Sequence, residues 1–219
     1  MNLVGHVAVA LDPDAPTPPS TDFLVGCMLP DLAAIARVRV SRPEGDLGRG
    51  VTYHHACDAV FHETEWFRTV NRDLRDALID AGVDHGPARA CSHAGVEMLL
   101  DGQLVFEARV ERQARVALDA VCLDAPRLGA LATPDRRAEW IERLQLIGAS
   151  IDPCRYRDPR FVAERLHRMT SGRRRIELPA DHIDFVKNTL AEFQPSIADA
   201  SADVVARVRR EVPIPHRPE

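Results

Sequence analysis

The residues best suited to chemistry are histidines and acids spaced four apart along the chain. In the stretch YHHACDAVFHETEW, which spans residues 53–66, His54, Asp58 and His62 follow one another at this interval. Residues four apart share one face of an α-helix, so a helix here forms a single stripe with His55 on its flank. Two imidazoles and a carboxylate on one stripe can hold a metal ion. A solvated, histidine-rich helix face is the alternative.

A second stripe of the same kind occurs in SHAGVEMLLDG, where His93, Glu97 and Asp101 are again four apart. The rest of this segment is apolar, which favours a stripe that faces inward. Buried ionisable groups are costly without partners, and helical bundles build metal sites from inward-facing histidines and carboxylates. Taken singly, a His–Glu pair at this spacing is also typical of a helix surface.

Two more candidate ligands lie near the start of the chain. His6 interrupts the apolar segment MNLVGHVAVAL, which predicts a short buried helix, and Asp31 follows Pro30 at the predicted start of another helix. Such a histidine is as often a core residue bonded to a carbonyl, and such an aspartate as often only caps its helix. A mixed imidazole and carboxylate set suits Mn²⁺, Fe²⁺, Zn²⁺ or Mg²⁺ and argues against a thiolate site.

Three consecutive arginines are the candidate phosphate-binding group. Arg173, Arg174 and Arg175 lie together in SGRRRIELP, and guanidinium groups suit phosphate or an acidic partner. A solvated helix end explains the cluster equally well. The sequence contains no G-x-G-x-x-G, no P-loop and no G-x-S-x-G, which are the commonest signatures of nucleotide-binding proteins and serine hydrolases.

The elements that must position these residues are predicted to be helices. The chain has 219 residues, 45% of them hydrophobic and only 5% aromatic, a composition that favours helices over sheets. Apolar spacings of three and four predict a single all-α domain of eight to ten helices. We expect a helical domain over residues 1–195 and a C-terminal helix with a frayed tail over residues 196–219, because Pro195 should end the preceding helix.

Composition also limits the class of protein. A formal charge of −5 gives no reason to expect nucleic-acid binding, and no apolar run is long enough to cross a membrane. The five cysteines are widely spaced without C-x-x-C, which argues against a disulfide framework and a cysteine zinc site. Cys57 and Cys91 are expected to be buried, and a reducing cytoplasm is the expected compartment. The oligomeric state stays open.

The order of the motifs resembles the acyl-carrier-protein phosphodiesterase (ACP hydrolase) family. The segments that carry the resemblance are MNLVGH, DFLVGCMLPD, GVTYHHACDAVFH, GVEMLLDG and CRYRDPRFVAERLHRMTSGRRR, which together cover about residues 1–190. The positions that match the family are Asn2, His6, Gly26, Asp31, Gly50, His54, Asp58, Glu97, Asp101 and Tyr156-Arg157-Asp158.

This resemblance implies an all-helical fold related to the HD-domain metal-dependent phosphohydrolases. It implies hydrolysis of the phosphodiester that joins 4′-phosphopantetheine to a carrier-protein serine, with a divalent metal that is typically Mn²⁺. The partner would be an acyl carrier protein, or the substrate a small phosphodiester. The implied metal ligands are His6, Asp31, His54 and Asp58. The residues left for a second metal, for acid–base catalysis or for phosphate charge are His62, His93, Glu97, His55 and Arg173 to Arg175.

The chain also departs from the family pattern. The family's arginine is His55 here, its next acidic position is His62, and its Asp-His pair is Asp101-Gly102. These changes leave two alternatives open. One is a nucleotide phosphohydrolase of the wider HD class. The other is a non-catalytic helical protein that binds a ligand or partner, which predicts that His6 and Asp31 lie apart from the His54 helix or make only internal hydrogen bonds.

Overall fold

The computed structural model describes residues 1–215, which form ten α-helices and two short 3-10 helices. Within this range the β-type pairing is limited to an isolated bridge between Val40 and Ala132. The predicted all-α, single-domain fold is therefore confirmed. The helices are α1 (Leu3–Ala10), α2 (Thr21–Ala36), α3 (Gly45–Glu63), α4 (Glu65–Asp80), α5 (His85–Leu104), α6 (Ala108–Leu123), α7 (Ala125–Gly129), α8 (Arg137–Ser150), α9 (Pro159–Thr170) and α10 (Ile183–Glu211).

Helix α1 lies at the centre of the molecule. All eight of its residues are buried, and it packs against α2, α5, α6 and α10. A helix that is apolar on every face is stable only when other elements surround it, which agrees with the sequence of α1. His6 is its single ionisable side chain and is fully buried. Any partner of His6 must therefore come from the surrounding helices.

Helices α2 and α3 pack with their backbones in contact. A Cβ atom placed on Gly26 would lie 2.2 Å from the carbonyl oxygen of Leu47, and one on Gly50 would lie 2.2 Å from that of Phe23. No side chain other than hydrogen fits at either position, so the two glycines permit the close approach. This contact sets the distance between the side chains that α2 and α3 direct towards α1.

Several predicted helix boundaries are wrong. Pro30 and Pro195 were expected to begin and to end helices, but each lies inside one, in α2 and α10. Buried residues on both sides of each proline offset the lost backbone hydrogen bond. The helical stretch at residues 53–66 is also divided in two: α3 ends before Thr64, whose hydroxyl accepts from the backbone N–H of Phe67 and so caps α4.

Other expectations can be compared directly with the structure. Cys57 and Cys91 are buried, as predicted. Gly102 does not interrupt its helix but lies within α5, where a Cβ atom would come 2.4 Å from the carbonyl oxygen of Tyr156. No helix among residues 1–215 is long and apolar enough to cross a membrane. Of the predicted frayed tail, residues 216–219 lie outside the described part of the chain.

Candidate metal centre

Three helices bring the four predicted metal ligands together. This group, called the buried cluster below, consists of His6 from α1, Asp31 from α2, and His54 and Asp58 from α3. His6 Nε2 lies 3.2 Å from Asp58 Oδ1 and 3.8 Å from Asp31 Oδ2, and His54 Nε2 lies 3.4 Å from Asp58 Oδ2. The predicted proximity of residues distant in sequence is thus present in the fold.

The spacing of these atoms fits a metal ion. Nitrogen and oxygen ligands about 2.0–2.2 Å from a divalent ion lie roughly 3–3.5 Å from one another. One donor atom each from His6, His54 and Asp58 lies within 4.8 Å of the other two. Small side-chain adjustments would therefore bring these donors around one ion, with Asp31 at the edge of the same group.

Unpaired polar atoms distinguish this cluster from an ordinary set of ion pairs. Both ring nitrogens of His6 and Oδ2 of Asp31 are buried without a hydrogen bond of acceptable geometry. Buried polar groups are rarely left without a partner, because their desolvation is then uncompensated. These atoms are therefore available to a metal ion, and the chemistry of the side chains present fits one.

His54 is held in the orientation that a ligand needs. Its Nδ1 lies 2.8 Å from the carbonyl oxygen of Cys27. A carbonyl only accepts, so Nδ1 carries the proton and Nε2 faces Asp58. Metal-binding histidines commonly donate their other ring nitrogen in this way. The ring of His54 also stacks on that of His6, with centroids 3.8 Å apart. The Gly26–Gly50 contact permits this arrangement, since Cys27 adjoins Gly26.

Burial and neighbouring charges set the protonation states. Burial lowers the pKa of His6 to about 3, so its ring is neutral at pH 7 and its nitrogens are available as ligands. Burial raises the pKa of Asp31 to about 7. Burial would also raise the pKa of Asp58, but His54, His6 and the amino group of Met1 outweigh it and hold that pKa well below its usual range. Asp58 is therefore ionised.

The ammonium group of Met1 lies between two carboxylates. It donates to Asp58 Oδ1 at 2.7 Å and lies 3.2 Å from Glu97 Oε1. The side chain of Met1 is buried, and the pKa of its amino group is raised because the nearby carboxylates outweigh desolvation. The spacing of histidines and acids gives no indication of this cation, although the segment MNLVGH places Met1 five residues before His6. It connects the buried cluster to the next group of residues.

That group, called the rim cluster below, consists of His62, His93 and Glu97. The Nε2 atoms of His62 and His93 lie 3.0 Å and 3.3 Å from the same Glu97 oxygen. Here one donor atom per residue again falls within the spacing of a metal site. Burial would raise the pKa of Glu97, but the Met1 ammonium and the two histidines outweigh it and lower that pKa. The rim cluster is more open, because the His93 side chain is 46% exposed.

Spacing along the sequence groups these residues into two stripes, but the fold distributes the members of each stripe differently. His62 continues the α3 stripe but pairs with Glu97 of α5 instead of joining Asp58. Asp101 continues the α5 stripe but belongs to neither cluster. Its two carboxylate oxygens accept from the backbone N–H groups of Val4 and Gly5, at 3.0 and 2.7 Å. Asp101 thus fixes the first turn of α1, which carries His6.

The remaining candidates lie farther from the clusters. His55 is exposed, with its ring centroid 5.2 Å from that of His54, and it lines a different hollow together with Arg42. Arg173 lines the cleft that also contains Asp31 and Glu97. Arg174 and Arg175 are exposed and do not line this cleft. Of the three consecutive arginines, Arg173 therefore lines the cleft and the other two do not.

Comparisons with known proteins identify no relative. No family model, no curated protein and no solved structure matches the chain.

Proposed function

We propose that this protein is a metal-dependent hydrolase of phosphoric esters, in which the buried cluster holds a divalent ion. One observation carries the proposal. His6 and Asp31 converge on the ligands of α3 while the His6 ring nitrogens and Asp31 Oδ2 are buried without hydrogen bonds. The non-catalytic alternative predicts that these two residues lie apart from the His54 helix or are paired internally. Their proximity and missing partners favour a metal site.

A bound divalent ion would supply Lewis-acid polarisation of a phosphoryl oxygen and would make a water molecule acidic near neutral pH. The chain supplies the remaining groups. Glu97 and the two histidines on it lie next to the buried cluster through the Met1 ammonium, so they can exchange protons with a reacting water or leaving group. In the net reaction, water adds to phosphorus, the ester P–O bond breaks and the leaving oxygen takes up a proton.

The finer assignment follows the resemblance to the ACP hydrolase family. We propose that the metal is Mn²⁺ and that the substrate is the phosphodiester between 4′-phosphopantetheine and an acyl carrier protein. The donor set of imidazoles and carboxylates is compatible with Mn²⁺ and equally with Fe²⁺ or Zn²⁺. A nucleotide phosphohydrolase would use the same ion and the same clusters, so the substrate must be decided by assay.

The first test is metal content. Protein with an untagged N-terminus is purified without chelator, because a tag would alter the buried amino group of Met1, and its metals are measured by elemental analysis. We expect about one equivalent of Mn, Fe or Zn. The His54→Ala/Asp58→Ala variant should lose it, while His85→Ala, which alters an exposed histidine at the start of α5, should keep it. Absence of metal from the parent protein, even after Mn²⁺ is added, contradicts the proposal.

The second test is turnover. The metal-loaded protein is incubated with holo-acyl carrier protein, with a simple aryl phosphodiester and with a set of nucleotides, and the products are identified by mass. Loss of 4′-phosphopantetheine from the carrier protein supports the finer assignment, and hydrolysis of nucleotides alone favours the wider HD class. A protein that binds metal but hydrolyses none of these substrates would favour the non-catalytic alternative.

A further inference from the structure

A cleft lined by arginines opens next to the two clusters. Its volume is about 670 Å³, and its lining includes Asp31 of the buried cluster and Glu97 of the rim cluster. Clefts of roughly 300–1,000 Å³ are typical of small-molecule sites. Six arginines line this space, which is called the arginine cleft below: Arg37, Arg136, Arg143, Arg165, Arg168 and Arg173.

The six arginines come from two separate parts of the fold. Arg37 follows α2. Arg136 immediately precedes α8, and Arg143 lies in the middle of that helix, which packs on α2 and α6. The other three belong to α9 and the turn after it, and α9 packs on α5 and α10. The cleft therefore lies between two groups of helices, each of which contributes three positive charges.

Few of these charges are neutralised within the protein. Arg136 pairs with Glu139 at 2.9 Å, and Arg168 lies 4.0 Å from Glu164. Arg37, Arg143 and Arg173 have no acidic group within 4.0 Å among residues 1–215.

Two further features of the lining favour an anionic ligand. The Nε of Arg165 is buried without a hydrogen bond. Apart from Asp31 and Glu97, Glu139 is the one acidic side chain lining the cleft in the described part of the chain. Unneutralised guanidinium groups that share a concave surface attract anions strongly.

The lining also has an apolar part. Ile35, Met98, Leu146 and Met169 line the same space, and Leu146 is 57% exposed. An exposed leucine among arginines is suited to the organic part of an anionic ligand. Apolar side chains together with arginines from two groups of helices differ from a surface of scattered, solvated arginines.

We propose that the arginine cleft binds an organic polyphosphate, a small molecule that carries a second phosphate beyond the one presented to the buried cluster. This inference rests on the proposed hydrolysis of phosphoric esters for the position of the reacting phosphate, and it favours the nucleotide phosphohydrolase over holo-acyl carrier protein, which carries a single phosphate. That phosphate lies beside Asp31 and Glu97 of the lining. The arginines of α8 and of the α2 end are contributed by a different part of the fold from Arg173, and they bind the second phosphate. A ligand with two anionic groups explains why both groups of helices contribute arginines, whereas a single phosphate needs arginines from only one group.

Binding of inorganic anions to the metal-free, full-length chain tests the inference. Metal-free protein is used because polyphosphates chelate divalent ions. Titration calorimetry compares orthophosphate with triphosphate at fixed ionic strength. We expect triphosphate to bind at least about tenfold more tightly, since its additional phosphates can contact additional arginines of the cleft. Arg37→Ala and Arg143→Ala, which alter exposed side chains, should each weaken triphosphate binding by roughly threefold to tenfold.

The control variant is Arg112→Ala, which removes an exposed arginine of α6 outside the cleft and should leave both affinities unchanged. Equal affinity for orthophosphate and triphosphate overturns the inference. So does an equal loss of binding in Arg112→Ala, which would indicate a general charge effect. Tighter binding of a polyglutamate peptide than of triphosphate also overturns it, in favour of an acidic protein surface. Because no metal or turnover is involved, these outcomes are independent of the tests of the proposed function.

Discussion

The buried cluster and the rim cluster contain similar residues but differ in how their polar atoms are satisfied. In the rim cluster, both histidines contact one glutamate oxygen and the site is partly open to solvent. In the buried cluster, three polar atoms lack hydrogen bonds, and one ligand comes from a helix that is surrounded on all sides. The rim cluster can exist as a set of ion pairs, whereas the buried cluster has ion pairs and, in addition, buried atoms that a further ligand could satisfy. We therefore expect the tight metal ion in the buried cluster.

The largest expected effect concerns the buried cluster, because its ligands depend on the backbone contact between α2 and α3. Gly50→Ala places a Cβ atom 2.2 Å from the backbone carbonyl of Phe23, so α2 and α3 must move apart. We expect the free energy of unfolding to fall by about 2–3 kcal/mol, as for other overpacked interiors. The metal affinity of the buried cluster should fall with it, because Asp31 and His54 lie on opposite sides of this contact.

Chemical denaturation and manganese titration measure these two quantities. The control is Ala56→Ser, at an exposed position of the same helix, which should change stability by less than about 1 kcal/mol. A Gly50→Ala variant with the stability and the metal affinity of the parent would show that the contact does not set the ligand positions.

The next effect concerns pH. The pKa of Asp31 is raised to about 7 by burial. Burial would lower the pKa of His54, but Asp58 and Asp31 outweigh it and raise that pKa. Below these pKa values both groups carry protons in the metal-free protein, and an ion must displace them. Manganese affinity should therefore fall as the pH drops below about 7, by about tenfold per pH unit for the proton on Asp31, and more steeply where His54 is protonated as well.

Calorimetry in two buffers of different ionisation enthalpy measures both the affinity and the protons released. The Asp31→Asn variant keeps the size of the side chain but has no proton to lose, so its affinity should depend less steeply on pH. An affinity that is constant from pH 6 to pH 8 in the parent protein contradicts the assignment of these two residues as ligands.

The smallest expected effect on metal affinity belongs to the rim cluster. His93 touches none of the buried ligands and its side chain is 46% exposed, so His93→Ala should change manganese affinity by less than about threefold. If His93 transfers protons, turnover should fall by about a hundredfold. Loss of one of two metal equivalents in this variant would instead make the rim cluster a second metal site.

Local patterns in the sequence predicted the helices better than they predicted where helices end. The period of apolar residues indicated an all-α fold, which the structure confirms, because that period depends only on helix geometry. The predicted breaks at Pro30 and Pro195 were wrong, since buried neighbours on both sides hold each helix together. Proline lowers local helix stability, but tertiary packing decides whether the helix continues.

In the candidate site, too, pairs within one helix follow from sequence spacing, whereas contacts between helices do not. Helical spacing alone placed His54 beside Asp58 and His93 beside Glu97, and both pairs are present in the fold. Spacing also grouped His62 with Asp58, whereas packing of α3 against the rest of the molecule turns His62 to Glu97. The Met1 ammonium was missed because its partners are far away in sequence.

By itself, the sequence determined the helical class and the pairs that lie within one helix, since four residues span about one helical turn whatever surrounds the helix. Only the tertiary structure decided that His6 and Asp31 meet those pairs, and that arginines of α8 share a cleft with Arg173. Distances between helices depend on how closely their backbones approach. Here that approach is set by glycine contacts that carry no periodic signal.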